Sequence, residues 1–310
     1  MTDGQRRTPY LSLGPVLFNW AADQWRDFYF RVADEAPVDV VYVGEVVCSK
    51  RAPFHEPFLP AVIDRLERGG KQVVLSSLGL IAEARERRQG AELAAEADRL
   101  VEANDLALVA QLAGRPHVIG PFINVYNEGT LRVLAQRGAS RVCLPFELSG
   151  AAVGVLARAV PGVEIEVQVF GRVPLALSVR CYHARAHGLH KDGCQFVCGL
   201  DPDGMAVKTL DGEPFLTVNG TQTMSHSICQ LLEQCGALSE FGVDGFRLSP
   251  HKVDMVAVAA LYRAVIDGRK EAPAATEELA KIAGFAPFSN GFFFAREGHR
   301  RIVPGRAGGE

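Results

Sequence analysis

The chain has 310 residues and a formal net charge of −3, and it is 48% hydrophobic and 22% charged. This composition is typical of a globular protein with ample material for a core. It offers no basic block for nucleic acid or an anionic membrane and no apolar run of spanning length. The N-terminal segment lacks the apolar stretch of a secretory signal, so we expect a cytoplasmic protein.

Strand-like and helical segments alternate over the first 180 residues. Strands are predicted at 9–18, 38–48, 72–81, 117–127, 141–147 and 163–177. Helices are predicted at 22–36, 58–71, 91–104, 129–138 and 150–160, the third of which is rich in Ala, Leu and Glu. This order favours parallel strands joined by crossover helices.

The count and length of these segments predict an α/β fold with a (β/α) TIM-barrel-like domain. The absence of a G-x-G-x-x-G segment after the first strand weakens the alternative of a nucleotide-binding open sheet. The alternation breaks at 181–204, which is rich in Cys, His and Gly, and resumes with strands at 215–220 and 243–250 and helices at 225–242 and 254–270. We therefore assign 1–270 to the barrel with a Cys-rich insertion at 181–204, and 271–310 to a linker and tail.

Four of the seven cysteines could form one centre. Cys181, Cys194 and Cys198 share the insertion, and Cys48 follows an apolar strand whose carboxyl end should face the same rim as the functional loops. Four thiolates suit an iron–sulfur cluster or a structural zinc ion. Zinc sites usually use two tight Cys pairs, and here only one exists. A cluster is the favoured interpretation, with zinc or a reactive thiol left open.

The remaining cysteines and the nearby histidines have a structural interpretation. Cys143 lies in an apolar strand, and Cys229 and Cys235 are six positions apart in a predicted helix, so we expect none of them to be a ligand. His183, His187 and His190 could bind a metal, but their spacing favours the solvated face of one helical turn.

Polar side chains at predicted strand ends define a speculative substrate-binding rim. Such a rim could bind an anionic, oxygen-rich small molecule. Its candidates are Glu45, Arg51, Asn124, Tyr126, Glu147, Arg172, Asn219 and Arg247. No catalytic residue can be assigned, because the chain has no G-x-S-x-G elbow and no H-E-x-x-H helix.

Three segments carry a family resemblance. The stretches "YVGEVVCSKR", "VFGRVPLALSVRCYHAR" and "CQFVC" resemble the collagenase-like peptidase family, and the likeness extends from about residue 8 to 265. They are most similar to its branch in oxygen-independent ubiquinone biosynthesis. The resemblance implies a barrel-like domain with a [4Fe-4S] cluster on Cys48, Cys181, Cys194 and Cys198.

The same resemblance implies partners and a reaction. It predicts a subunit of a heteromeric hydroxylase that works without dioxygen, forms a heterodimer with a UbiU-like sister protein, and uses prephenate as the oxygen donor. The lipid carrier UbiT would belong to the same pathway. Peptidase activity and a zinc-binding scaffold are the alternative functions, although no protease motif supports the first.

Overall fold

The computed structural model describes residues 8–303. The sequence-based expectations about residues 1–7, within the N-terminal segment, and 304–310, at the end of the tail, lie outside the described residues. Eight parallel strands close into a barrel in which each strand pairs with the next and the last pairs with the first. They are β1 (Tyr10–Leu13), β2 (Val40–Val43), β3 (Gln72–Ser76), β4 (Leu100–Ala103), β5 (His117–Ile119), β6 (Ala139–Cys143), β7 (Glu164–Leu177) and β11 (Gly245–Leu248). The predicted TIM-barrel-like fold is thereby confirmed.

Helices surround this barrel. They are α1 (Ala22–Glu35), α2 (Ala52–His55), α3 (Leu59–Arg68), α4 (Ala84–Ala94), α5 (Leu106–Gln111), α6 (Glu128–Gln136), α7 (Gly150–Ala159), α9 (Cys235–Phe241) and α10 (Met255–Ile266). Side chains along the strands alternate between the helix layer and the lumen, as the two-residue period of a strand requires. Leu11 and Val41 face the large core beneath the helices, whereas Tyr42, Val74 and Val118 form a separate cluster.

A buried polar network fills part of the lumen. The carboxylate of Glu166 accepts hydrogen bonds from Tyr42 at 2.6 Å and Ser12 at 2.8 Å, and it pairs with the guanidinium of Arg247. Arg247 also contacts Glu102 at 2.7 Å. Because each buried charge has a partner of opposite sign, the network offsets part of its desolvation cost.

The insertion forms an extension of the barrel. Strand β7 continues beyond the barrel and pairs antiparallel with β10 (Gln222–Gln230). The strands β9 (Pro214–Asn219) and β8 (Met205–Lys208) follow in the same sheet. Between β7 and β8 the chain carries the short helix α8 (Tyr182–Ala186) and the cysteine-rich loop. The strand predicted at 215–220 is therefore present, but it belongs to this extension rather than to the barrel.

Two helix predictions are wrong. The segment 91–104 contains the end of α4 and then β4, because Leu100–Ala103 pair with β3 and β5. The segment 225–242 is strand β10 as far as Gln230 and becomes helical only at Cys235. Helix α11 (Ala272–Ile282) and strand β12 (Phe288–Ser289) occupy the region 271–303, where the sequence predicts a linker and tail.

Candidate functional site

The loop after β2 positions Cys48. The strand ends at Val43, and the next residue is Gly44, whose φ of +148° and close approach to the Ser76 carbonyl leave no room for a Cβ. Glu45 then accepts hydrogen bonds from the backbone amides of Val47 at 2.8 Å and Cys48 at 3.0 Å. Glu45 and Cys48 thus lie in a loop rather than within the strand predicted at 38–48. Their carboxylate–amide bonds fix the direction of the Cys48 side chain.

The extension holds the other three cysteines. Cys181 precedes α8, and its sulfur accepts from the Ala184 amide at 3.4 Å and contacts the Gly220 carbonyl oxygen at 3.2 Å. The sulfur of Cys198 accepts from the side-chain amide of Asn19 at 3.3 Å. Such N–H···S bonds stabilise a thiolate, and they recur around metal-bound sulfur.

A left-handed turn separates Cys194 from Cys198. Gln195 and Phe196 have φ values of 48° and 53°, which L-residues with side chains adopt only at a cost of about 1 kcal/mol each. The ring of Phe196 packs edge-on against Phe54, 4.7 Å away between centroids. Strain of this kind is retained where the surrounding structure fixes it, and here it lies between two candidate ligands.

All four predicted ligands line one cavity at the carboxyl side of the barrel strands. Cys48, Cys181, Cys194 and Cys198 share its wall with Lys50, Arg51, Lys191, Phe196, Val197 and Gly220. Their sulfur atoms are not packed as tightly as ligands of one ion. Within residues 8–303, no three cysteine sulfurs lie within 4.8 Å of one another. A tetrahedral zinc ion would need separations of about 3.8 Å.

Arg51 brings a buried positive charge to this cavity. Its side chain is fully buried, and it donates to the Leu17 carbonyl at 3.1 Å and to Asn219 Oδ1 at 2.7 Å. In the described part of the chain no carboxylate forms an ion pair with it, and its Nε has no hydrogen-bond partner. Burial acts to lower the pKa of Arg51, but nearby negative groups, Glu45 first and then Cys198, raise it above its ordinary value.

Asn219 joins the two halves of the site. Besides accepting from Arg51, its Oδ1 accepts from the Asn19 amide at 3.2 Å. Its Nδ2 donates to the carbonyls of Cys198 at 2.9 Å and Asp201 at 2.8 Å. The buried carboxamide therefore has a partner for every donor hydrogen and for its oxygen.

Two lysines supply further positive charge. Lys50 donates from Nζ to the Lys191 carbonyl at 2.7 Å, which ties the Cys48 loop to the extension.

Burial raises the pKa values of the Cys48 and Cys181 thiols, and Arg51 opposes this effect at both positions. Without a bound cation, these two thiols are therefore favoured in their neutral form.

The remaining rim candidates do not converge on this cavity. Arg247 forms ion pairs with Glu102 and Glu166 in the barrel lumen. Tyr126 and Glu147 lie in the loops after β5 and β6, where the Tyr126 hydroxyl donates a hydrogen bond to the Glu147 carboxylate. Burial, together with Glu147, raises the pKa of Tyr126 to about 12. Asn124 is exposed nearby, in a loop and not in the strand predicted at 117–127. Arg172 lies on the outer part of β7 and donates to the Ser225 carbonyl at 3.1 Å, and burial lowers its pKa to about 10.

The three cysteines interpreted as structural lie away from the four-cysteine cavity. Cys143 and Cys235 are buried in the barrel and in the helix layer, and Cys229 is partly buried on β10. Burial raises the pKa of the Cys229 thiol to about 12 and the other two still further. Such thiols stay protonated and act as small apolar groups.

Sequence reasoning missed two contributors and the burial of a third residue. Asn19 follows β1 at the barrel rim and reaches Cys198, and Lys191 lies within the insertion itself. Both positions carry polar side chains next to predicted strand ends or ligands, so that signal could have identified them. His183 is fully buried rather than solvated and lies beside Asp201, which the helical spacing did not indicate.

Fold and site together define a (β/α)₈ barrel protein with a cysteine-lined cavity in an extension between its seventh and eighth strands. The chain belongs to peptidase family U32, whose family model matches residues 26–302. Among solved structures it is similar to a phospho-2-dehydro-3-deoxyheptonate aldolase (DAHP synthase) from Thermotoga maritima. That match has 13% identity and a TM-score of 0.43, and it covers 93% of this chain and 75% of the other. None of the described helices has the length and apolarity to cross a membrane.

Proposed function

We propose that this family U32 member binds a [4Fe-4S] cluster through Cys48, Cys181, Cys194 and Cys198. The observation that carries the proposal is the joint lining of one cavity by all four cysteines, three from the extension and one from about 130 residues earlier. The sulfurs are too far apart for a single tetrahedral ion. A cubane centre holds its four thiolates farther apart, because the iron–sulfide core stands between them.

Charge balance supports the same centre. Four thiolates outweigh the positive charge of the iron–sulfide core, so a bound cluster is anionic. The cavity supplies Arg51, fully buried and lacking an ion-paired carboxylate in the described chain, together with Lys50 and Lys191. Glu45 offsets part of the desolvation cost of this buried cation without pairing with it directly, and an anionic centre would offset more of that cost.

A bound cluster would supply one-electron transfer. The residues around it would set its properties. Arg51 and the N–H···S bonds from Asn19 and Ala184 would favour the more reduced, more negative state, and the apolar Phe196 and Val197 would limit water access.

The biological role in this proposal is that of UbiV, a cytoplasmic subunit of an oxygen-independent hydroxylation system in ubiquinone biosynthesis. A UbiU-like protein would be its heterodimer partner, prephenate the oxygen donor and UbiT the lipid carrier. These assignments rest on the resemblance of the three quoted segments. A cavity of about 730 Å³ between β2, β3 and helices α3–α5 has room for a hydrophobic substrate group; its lining combines apolar residues such as Leu59 and Leu75 with acidic residues such as Glu86 and Glu92.

Anaerobic purification followed by iron and acid-labile sulfide analysis tests the cofactor. The expected result is equal iron and sulfide at the [4Fe-4S] ratio, with brown absorbance that air bleaches. Zinc in place of iron would overturn the cluster and favour a structural scaffold. The role is tested by deleting the gene and measuring ubiquinone formed without oxygen, which should fall unless the intact gene is restored.

Peptidase activity is the second candidate, because the matching family carries that description. One pair has part of the required geometry, since His251 Nδ1 lies 3.3 Å from Asp203. However, Nε2 of this buried histidine already accepts the Arg172 amide at 3.0 Å, so it has no lone pair free to activate a nucleophile. Hydrolysis of an unfolded protein by the purified chain, with chelator-treated and heat-inactivated samples as controls, decides between the two functions.

A further inference from the structure

We propose a second metal site, formed by His183, His187 and Asp201, that binds one divalent transition-metal ion independently of the four cysteines. One potential ligand atom from each of these residues lies within 4.8 Å of the other two. No other set of three His, Cys, Asp or Glu side chains in residues 8–303 meets this condition. The site lies on and beside α8, next to the cysteine cavity.

His183 is the buried ligand. Its side chain is fully buried, and its polar neighbours are the Val218 backbone and the Asp201 side chain, although neither ring nitrogen makes a well-aligned hydrogen bond. Nε2 nevertheless lies 3.0 Å from Asp201 Oδ2. This separation suits a direct His–Asp contact, and it also suits two neighbouring ligands of one metal ion. A metal would also satisfy a buried polar group that is otherwise costly.

His187 has the tautomer that metal binding needs. Its Nδ1 lies 3.0 Å from the carbonyl oxygen of His183, to which it can donate its proton. The proton then resides on Nδ1, and the lone pair of Nε2 is free for a metal. The two histidines are four positions apart, and their ring planes are parallel within 4°. His187 is exposed, which gives an ion a route from solvent.

The ligand set selects the class of ion. Two imidazoles and one carboxylate suit Zn²⁺ or Fe²⁺ and are a poor set for Mg²⁺ or Ca²⁺. Three protein ligands leave at least one position open to water or another ligand.

This site and the cysteine cavity share a support. Asn219 donates to the backbone carbonyls of both Cys198 and Asp201. The Asp201 side chain remains free to face the histidines while its backbone is held. Substitution of the carboxylate alone therefore leaves the contact with Asn219 in place, which makes Asp201→Asn a mild variant.

Zinc uptake by the full-length, anaerobically prepared protein tests the proposal. The protein is dialysed against zinc chloride, and zinc, iron and sulfide are measured in the same sample. We expect one tightly bound zinc per chain in addition to the iron. His187→Ala and Asp201→Asn should each weaken zinc binding at least about tenfold with iron and sulfide unchanged. His299→Ala, an exposed histidine far along the chain, is the matched control and should bind zinc as the native chain does.

Three results would overturn this site. They are an absence of tight zinc in the native chain, equal binding in His187→Ala and Asp201→Asn, and zinc uptake matched by loss of iron. Because iron is measured separately, failure of the cluster proposal is distinguishable. A chain without iron that still shows histidine-dependent zinc binding would refute only the cluster.

Discussion

The guanidinium of Arg51 and the carboxamide of Asn219 meet at 2.7 Å, although the two residues are 168 positions apart. Arg51 comes from the loop after the second barrel strand, and Asn219 ends β9 of the extension. Their bond therefore joins the single early cysteine to the three late ones through side chains that hydrogen-bond on both sides.

Asn219→Ala should destabilise the protein strongly. The substitution removes the acceptor of one Arg51 bond and of the Asn19 backbone amide, and it removes the donor to the buried Cys198 carbonyl. These losses together cost about 3 kcal/mol of unfolding free energy. Urea unfolding of the native chain and the variant measures this difference. Thr209→Ala, in an exposed turn before β9, is the control and should change stability by less than about 0.5 kcal/mol. A loss of stability no larger than that of the control would contradict the central role of Asn219.

Arg51→Met should keep the volume of the side chain and remove its charge. If the cavity holds an anionic cluster, we expect that cluster to be lost to a chelator about 10–100 times faster than from the native protein. Arg51→Lys restores the charge but not the two directed bonds, so it should be intermediate. The decay of cluster absorbance under anaerobic conditions is the measurement. Equal decay rates for the native chain and Arg51→Met would refute the charge argument.

Cys48→Ala should abolish iron and sulfide binding to the same extent as Cys181→Ala. The reason is that each supplies one of four proposed ligands to the same cavity. Cys143→Ala is the matched control, because this thiol is fully buried in the barrel and its raised pKa keeps it protonated. Iron and sulfide per chain are compared after identical anaerobic loading. Full loading of Cys48→Ala would remove this residue from the ligand set.

The barrel should lose stability in acid through Glu166. Burial raises the pKa of this carboxyl, but the attraction of Arg247 and Arg141 outweighs burial and holds the pKa below its ordinary value. A depressed pKa contributes stability above the ordinary value of about 4.3, and this contribution disappears as the pH falls through the folded-state pKa. Unfolding free energies measured between about pH 6 and about pH 3 should therefore decrease steeply for the native chain.

Glu166→Gln supplies the comparison for that experiment. The amide keeps the shape but cannot titrate, so the variant should start less stable and show a shallower decrease with acid. Parallel curves for both proteins would show that other carboxyl groups dominate the acid response.

The barrel was predictable from the sequence because its buried parallel strands read as short β-branched runs between amphipathic helices. The segment 91–104 shows where this reasoning fails. Its Ala, Leu and Glu content favours a helix, but Leu100–Ala103 gain more from pairing with two neighbouring strands than propensity can offset. The segment around Cys229 is a strand for a similar reason, since β10 pairs with the outer part of β7.

The convergence of the four cysteines was predictable only as a hypothesis about the barrel rim. The apolar strand before Cys48 was enough to predict that this residue lies at the rim. The bond between Arg51 and Asn219 was not predictable, because it depends on how the extension folds back onto the barrel. The histidine pattern was equally ambiguous, because helical spacing alone does not show that His183 is buried while His187 is exposed. The polar rim separated into unrelated groups since the loops after β5 and β6 lie apart from the extension.

The long strand β7 has a consequence for how the molecule is assembled. It must pair with β11 to close the barrel and with β10 to form the extension, and the chain between β7 and β11 contains three of the four cysteines. During synthesis, Cys48 emerges 133 residues before Cys181, at a stage when the barrel still lacks its later strands. These sequence-distant contacts make closure a late event of folding. Any cofactor at the four cysteines would therefore be delivered to a nearly complete polypeptide and not to its nascent N-terminal half.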